Sequence, residues 1–170
     1  LGKGKVMNMK LVDVISDRTL ALLNNFERAI LTANLEYILY GVPVWKHIYH
    51  ALYWFDYWFA GPDKFCGAEF HEEGLQSLDI PSDKTLSKEQ LLAYHKAVSE
   101  KTKDFLAGLI DDMLYEKTEN QEDIRMQRIL GQFCHVYNHI GIVHGSTIIE
   151  TGKWPYIAAH ARDITKGLFY

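Results

Sequence analysis

The segment from Val44 to Ala60 constrains the fold more than any other part of the chain. It carries Val44, Trp45, Ile48, Leu52, Tyr53, Trp54, Phe55, Tyr57, Trp58 and Phe59. Its aromatic run is compatible with a strand, but its length favours a helix. A helix that is apolar nearly all round is buried on more than one side, so the rest of the chain has to surround it. Pro43 stands at its entrance, where proline suits the first helical turn, and Gly61-Pro62 ends it.

Three further segments can do the surrounding. Leu20, Leu23, Phe26, Ile30, Ala33 and Tyr37 recur every three or four residues, which predicts an amphipathic helix from about Asp17 to Tyr40. Ser16 or Asp17 can cap its start, and Gly41 and Pro43 stop it. A third helix opens at Ser87-Lys88-Glu89-Gln90, a capping-box pattern, with Leu91, Leu92, Val98, Phe105, Leu109, Ile110 and Met113 on its apolar face. The fourth opens near Thr118-Glu119-Asn120-Gln121 and runs to about Glu150, with Gly152 as its stop. Its inward positions include Ile124, Ile129, Leu130, Phe133, Val136, Ile140, Val143, Thr147 and Ile148.

Between the second and third helices lies a loop from Gly61 to roughly Leu86, with Gly67, Gly74 and Pro81 inside it. Loops of that length in a compact domain are often functional. The tail from Trp154 to Tyr170 is expected to pack as a short helix or an irregular segment. The predicted architecture is all-α. A single domain over residues 1–170 forms a four-helix bundle with a long loop between helices 2 and 3 and a short C-terminal segment.

The formal net charge is −4 and no Lys/Arg run is present, which argues against a nucleic-acid binder. No apolar stretch approaches the roughly 20 residues needed to cross a bilayer. Leu1-Gly2-Lys3-Gly4-Lys5-Val6 lacks the apolar region of a signal peptide. Two cysteines, Cys66 and Cys134, do not make a disulfide framework, and a reduced cytoplasmic setting is the simplest reading. Cys134 reads as a small core residue.

Three histidines carry the functional expectation. His135 and His139 stand at i and i+4 on the fourth helix, so both imidazoles lie on one face, one turn apart. His50 lies midway along the most apolar helix. Two imidazoles so spaced can chelate one ion, and a third from a neighbouring helix completes a facial triad. Three protein ligands with open positions describe a catalytic rather than a structural metal site. The ordinary alternative is a set of core imidazoles bonded to carbonyls. Unpaired imidazoles among Phe133, Val136, Ile140 and Val143 would be costly, and ligation satisfies all three at once. If they share an ion, the second and fourth helices must be close neighbours. Zinc, nickel and iron all suit imidazole donors.

Other residues receive lesser roles. His47, one turn from His50, is a reserve ligand. His144 lies about 140° round the helix from His139 and is not expected to share the ion. His71, His95 and His160 read as surface residues. Asp56 is too far along its helix to join His50, and is expected to pair with a cation or to orient another group. Glu69, Glu72 and Glu73 could fold over the site from the long loop. Tyr53, Trp54 and Trp58 read as core, with pocket lining as the alternative.

The pattern His47-x-x-His50-x-x-Tyr53-Trp54-x-Asp56, followed by His135-x-x-x-His139-x-Gly141, resembles the DinB-like (YfiT-like) four-helix-bundle superfamily. The helix pattern matches from about Asp17 to Glu150. The resemblance implies that His50, His135 and His139 bind a divalent metal and that the loop after the second helix shapes the pocket. It implies a metal-dependent enzyme, a thiol-dependent S-transferase or isomerase or a hydrolase, acting on a small molecule with a low-molecular-weight thiol. The competing reading is a non-catalytic bundle that works as a homodimer or docks a partner. Its face would be formed by the apolar second helix with Trp154, Phe169 and Tyr170.

Overall fold

The structure, a computed structural model, describes residues 10–120 and 122–170. Leu1–Val6, read above for a leader, and Gln121, the last member of the second capping pattern, lie outside the described residues. Four helices dominate: α1 (Leu11–Thr32), α2 (Val44–Trp58), α3 (Lys88–Ala107) and α4 (Arg125–Thr151). A two-stranded antiparallel hairpin, β1 (Ile38–Leu39) and β2 (Val42–Pro43), joins α1 to α2. The all-α bundle expected from the sequence is the observed fold.

The first helix is displaced from its expected span of Asp17 to Tyr40. It starts at Leu11 because the Asp111 carboxylate, distant in sequence, accepts from the backbone N–H groups of Leu11 (3.1 Å) and Val12 (2.9 Å). Asp17 is therefore not a cap. It binds the tail instead, accepting from the Ala161 N–H at 3.0 Å and pairing with His160 at 3.0 Å. The helix stops at Thr32 because Ala33 is extended and the Asn34 side chain accepts from the Glu36 N–H at 3.2 Å. Such local side-chain bonds offer the backbone an alternative to the helical ladder. The chain then turns at Tyr40 and Gly41, with φ of +52° and +80°, so that Leu39 pairs with Val42.

The capping box at Ser87 and Gln90 forms as expected. Beyond Gly108 the apolar run does not continue the helix; Asp111–Tyr115 is a 3-10 turn that carries the Asp111 cap. The fourth helix begins at Arg125 rather than near Thr118. The Thr118 hydroxyl is spent in the turn before it, donating to the Asn120 side chain at 2.6 Å. Gln127 holds the true start, accepting from the Ile124 N–H at 2.9 Å. Gly152 ends the helix in the left-handed region, φ +69°, as a glycine C-terminus does.

The most extensive helix pairing is α2 with α4, followed by α1 with α4, α1 with α3, and α2 with α3. Helices consecutive in sequence, α1 with α2 and α3 with α4, therefore sit diagonally across the bundle. The core is built from Leu22, Phe26 and Ile30, from Ile48, Tyr49, Leu52 and Phe55, and from Leu91 and Val98. Ile129, Val136, Ile140 and Val143 complete it, with Leu75 and Leu86 contributed by the long loop. Leu130, expected inward, is exposed. The expected all-round burial of α2 holds from Val44 to Ile48 and for Tyr49, Ala51 and Leu52, while Tyr53, Trp54, Tyr57 and Trp58 are half-buried.

The tail after Gly152 is irregular apart from the short 3-10 turn Ala161–Asp163. Asn25 on α1 bonds Ala158 through both its amide groups, at 2.9 and 2.7 Å. The buried Arg28 guanidinium donates to the carbonyls of Ile164 (2.8 Å), Lys166 (2.6 Å) and Gly167. Among the described residues, no helix is long and apolar enough to cross a membrane.

Candidate metal centre

The α2–α4 pairing brings His50 against His135 and His139. One ligand atom from each lies within 4.8 Å of the other two, a group that could hold a metal ion. Ring centroids stand 5.2 Å apart for His50 and His135 and 4.9 Å for the other two pairs. The Nε2 atoms of His50 and His135 are 3.2 Å apart. Two imidazole nitrogens bound to one tetrahedral ion at ordinary zinc–nitrogen length would be about 3.3 Å apart, so this pair already stands at ligand spacing.

The protonation of His50 follows from its neighbour. Its Nδ1 lies 2.7 Å from the Gln76 carbonyl, which can only accept, so Nδ1 carries the proton and Nε2 presents its lone pair to the cluster. A carbonyl behind a ligating imidazole is the usual device for setting tautomer and ring orientation. Gln76 belongs to the loop after α2, so the loop reaches the cluster through a backbone carbonyl. Glu69, Glu72 and Glu73 are not in the cluster; Glu72 pairs with Lys84.

Burial, with His50 beside it, pushes His135 down to about 4. Burial and the neighbouring histidines push His139 down to about 3. Burial lowers His50 as well, against the opposing Gln76 bond. All three are therefore neutral at pH 7, the state in which imidazole ligates. Several polar atoms here are buried without a hydrogen-bond partner: Nδ1 of His47, His135 and His139, and the side-chain oxygens of Gln76 and Gln132.

The remaining histidines divide. His47 is buried, with its ring 6.0 Å from that of His139, but it is not in the ligand group. His144 stays outside the cluster as expected, buried on α4. His95 is not a surface residue: it is buried and donates from Nε2 to the Leu23 carbonyl at 2.9 Å, because α3 packs on α1 at that point. His71 is half-buried, its Nδ1 2.7 Å from the Tyr49 hydroxyl, and His160 binds Asp17. Trp54 packs edge-on to His50 at 6.5 Å, while the Tyr53 ring lies tilted against His71 at 5.0 Å.

Asp56 pairs with a cation, as the sequence suggests, but the partners come from elsewhere. Its carboxylate is fully buried and ion-paired with Lys101, and accepts from the Tyr94 hydroxyl at 2.6 Å and the Gly67 N–H at 3.0 Å. The Cys66 thiol donates to it at 3.2 Å. Burial and this carboxylate push the Cys66 thiol up to about 11, so it is not a nucleophile at neutral pH. Cys134 is exposed rather than in the core, because its helix position points away from the α2 interface that His135 faces. Neither Gln76 nor the Lys101–Tyr94 pair carries a sequence signal. The first acts through a backbone carbonyl, and the second reaches Asp56 only when α3 packs on α2.

No protein-family model matches the chain, and no curated protein or solved structure is detectably similar to it.

Proposed function

We propose that the chain is a metal-dependent enzyme of the DinB-like kind, with a divalent ion held by His50, His135 and His139. The observation that carries this reading is the convergence of three neutral imidazoles from two helices within 4.8 Å, one of them already oriented by a backbone carbonyl. Zinc, nickel and iron(II) all fit three nitrogen donors. When bound, such an ion supplies Lewis acidity toward a hydroxyl or thiol group. The chain's own residues do the rest. Gln76 fixes His50, the bundle core keeps the imidazoles neutral, and Trp54 borders the cluster on the α2 side.

The reaction we favour is thiol-dependent S-transfer or hydrolysis on a small molecule. Cys66 is held protonated by Asp56, so a thiol nucleophile would come from a low-molecular-weight co-substrate rather than from this residue. A cytoplasmic, reducing compartment would suit both that thiol and the two free cysteines. The test is metal content by elemental analysis after purification without a metal-affinity column, beside the double variant His135→Ala/His139→Ala. We expect near-stoichiometric metal in the wild type and its loss in the variant, after which thiol transfer and hydrolysis are screened. Metal-free wild type after incubation with zinc, nickel and iron(II) would overturn the reading.

A second reading is supported by a specific surface. Trp154 and Tyr170, joined by the Tyr170 N–H to Trp154 carbonyl bond of 3.0 Å, are 64% and 78% exposed. They support a homodimer or a docked partner at the tail, which sedimentation of the wild type against Trp154→Ser would detect. The apolar side of α2 offers less, since the bundle already buries it.

A further inference from the structure

Each imidazole of the triad has a second ring nitrogen, and what stands behind it decides how rigidly the ring is held. His50 is provided for by the Gln76 carbonyl. His139 is not: its Nδ1 is buried with no hydrogen-bond partner. The ring nearest to it outside the triad is that of His47, with centroids 6.0 Å apart and planes inclined by 43°.

His47 has the complementary deficiency. Its Nε2 contacts the Leu39 carbonyl at 3.5 Å. A carbonyl only accepts, so Nε2 bears the proton and Nδ1 is the unprotonated acceptor of a neutral imidazole. That acceptor is also buried without a partner. If His139 ligates through Nε2, as the facing Nε2 atoms of His50 and His135 indicate for those two, its Nδ1 must carry a proton. A buried donor and a buried acceptor then lie on neighbouring rings. Two imidazoles joined by an N–H···N bond of ordinary length have centroids about 5 Å apart, so the rings need close by only about 1 Å. Leaving both atoms unpaired is costly, and ligating histidines nearly always donate their second N–H.

We propose that His47 is the positioning residue of this site: it accepts the Nδ1 proton of His139 and is itself anchored through Nε2 to the Leu39 carbonyl of the β1–β2 hairpin. The inference rests on the metal reading above and assigns His47 a place behind the ligands rather than among them. The hairpin between α1 and α2 thereby becomes part of the support of the metal site.

The test measures zinc affinity by chelator competition in wild type, His47→Phe and His47→Asn. It is paired with nitrogen-15 imidazole spectra of the zinc-loaded wild type. Phe keeps the ring volume and removes the acceptor; the Asn side-chain oxygen can take the place of Nδ1. We expect His47→Phe to bind one zinc per chain 10- to 100-fold more weakly, and His47→Asn to recover most of the loss. The spectra should show His47 protonated at Nε2 with an unligated Nδ1, and His139 protonated at Nδ1. Equal affinity in wild type and His47→Phe overturns the proposal while leaving the triad intact. Equal losses in both variants overturn it too, since packing alone would then be at work. A zinc-shifted His47 nitrogen would make it a fourth ligand and overturn it, and the wild-type spectra decide this even where a variant fails to fold. A wild type that binds neither zinc nor, in the same competition, nickel or iron(II) removes the triad reading and this one together.

Discussion

At the scale of the residue, one fully buried carboxylate is surrounded by donors, while several buried imidazole nitrogens have no partner. Asp56 has no solvent exposure, yet Lys101, Tyr94, Gly67 and Cys66 all donate to it. The ion pair itself contributes little, because desolvation offsets much of the attraction, but removing one member strands the other. Lys101→Met leaves a buried carboxylate without its cation and should cost about 3–5 kcal/mol in urea denaturation. The double change Asp56→Asn/Lys101→Met should recover part of that loss. If the single variant is as stable as wild type, Asp56 is not held as a charged hub. The pattern was half legible. An aspartate in the most apolar helix demands a partner, but nothing in the order of residues names Lys101 or Tyr94.

At the scale of the element, helix interiors follow periodicity while helix ends follow tertiary partners. The stripes of α1, α3 and α4 locate their buried faces. The capping box of α3 is local, four residues long, and forms where the sequence places it. The start of α1 is not local, since its first two N–H groups are taken by Asp111. Asp111→Ala should destabilise the protein by about 1 kcal/mol, the usual value of a lost helix cap. It should also speed amide exchange in the first turn of α1 while sparing α3. Unchanged exchange at Leu11 and Val12 would mean that solvent caps them equally well.

At the scale of the whole molecule, the buried imidazoles couple folding to pH. His135 and His144 are pushed down to about 4 and His139 to about 3, in each case first by burial. In the unfolded chain they titrate near 6.5. Between those values the unfolded state binds more protons than the folded one, so folding stability falls as pH falls. The metal-free protein should therefore hold full stability above about pH 6.5 and lose it progressively toward pH 4. Tm measured by circular dichroism in chelator at several pH values tests this. A Tm that stays level from pH 7 to pH 5 would mean that the imidazoles are charged in the folded state.

The sequence by itself determined the all-α class, the helix faces and three histidines of the right kind on two helices, because these depend on composition and on periods of three and four residues. It also marked the loop after α2 as unusual, through its length. Tertiary structure alone decided that α1 and α2 sit diagonally, that α2 lies against α4, and hence that His50 meets His135 and His139. It decided, too, that Gln76 supplies a carbonyl, that His95 is interior and that Cys134 faces outward. The physical reason is the same in each case. A hydrogen bond or ligand distance depends on which surfaces meet, and that is set by how the whole bundle packs rather than by the spacing of residues along one helix.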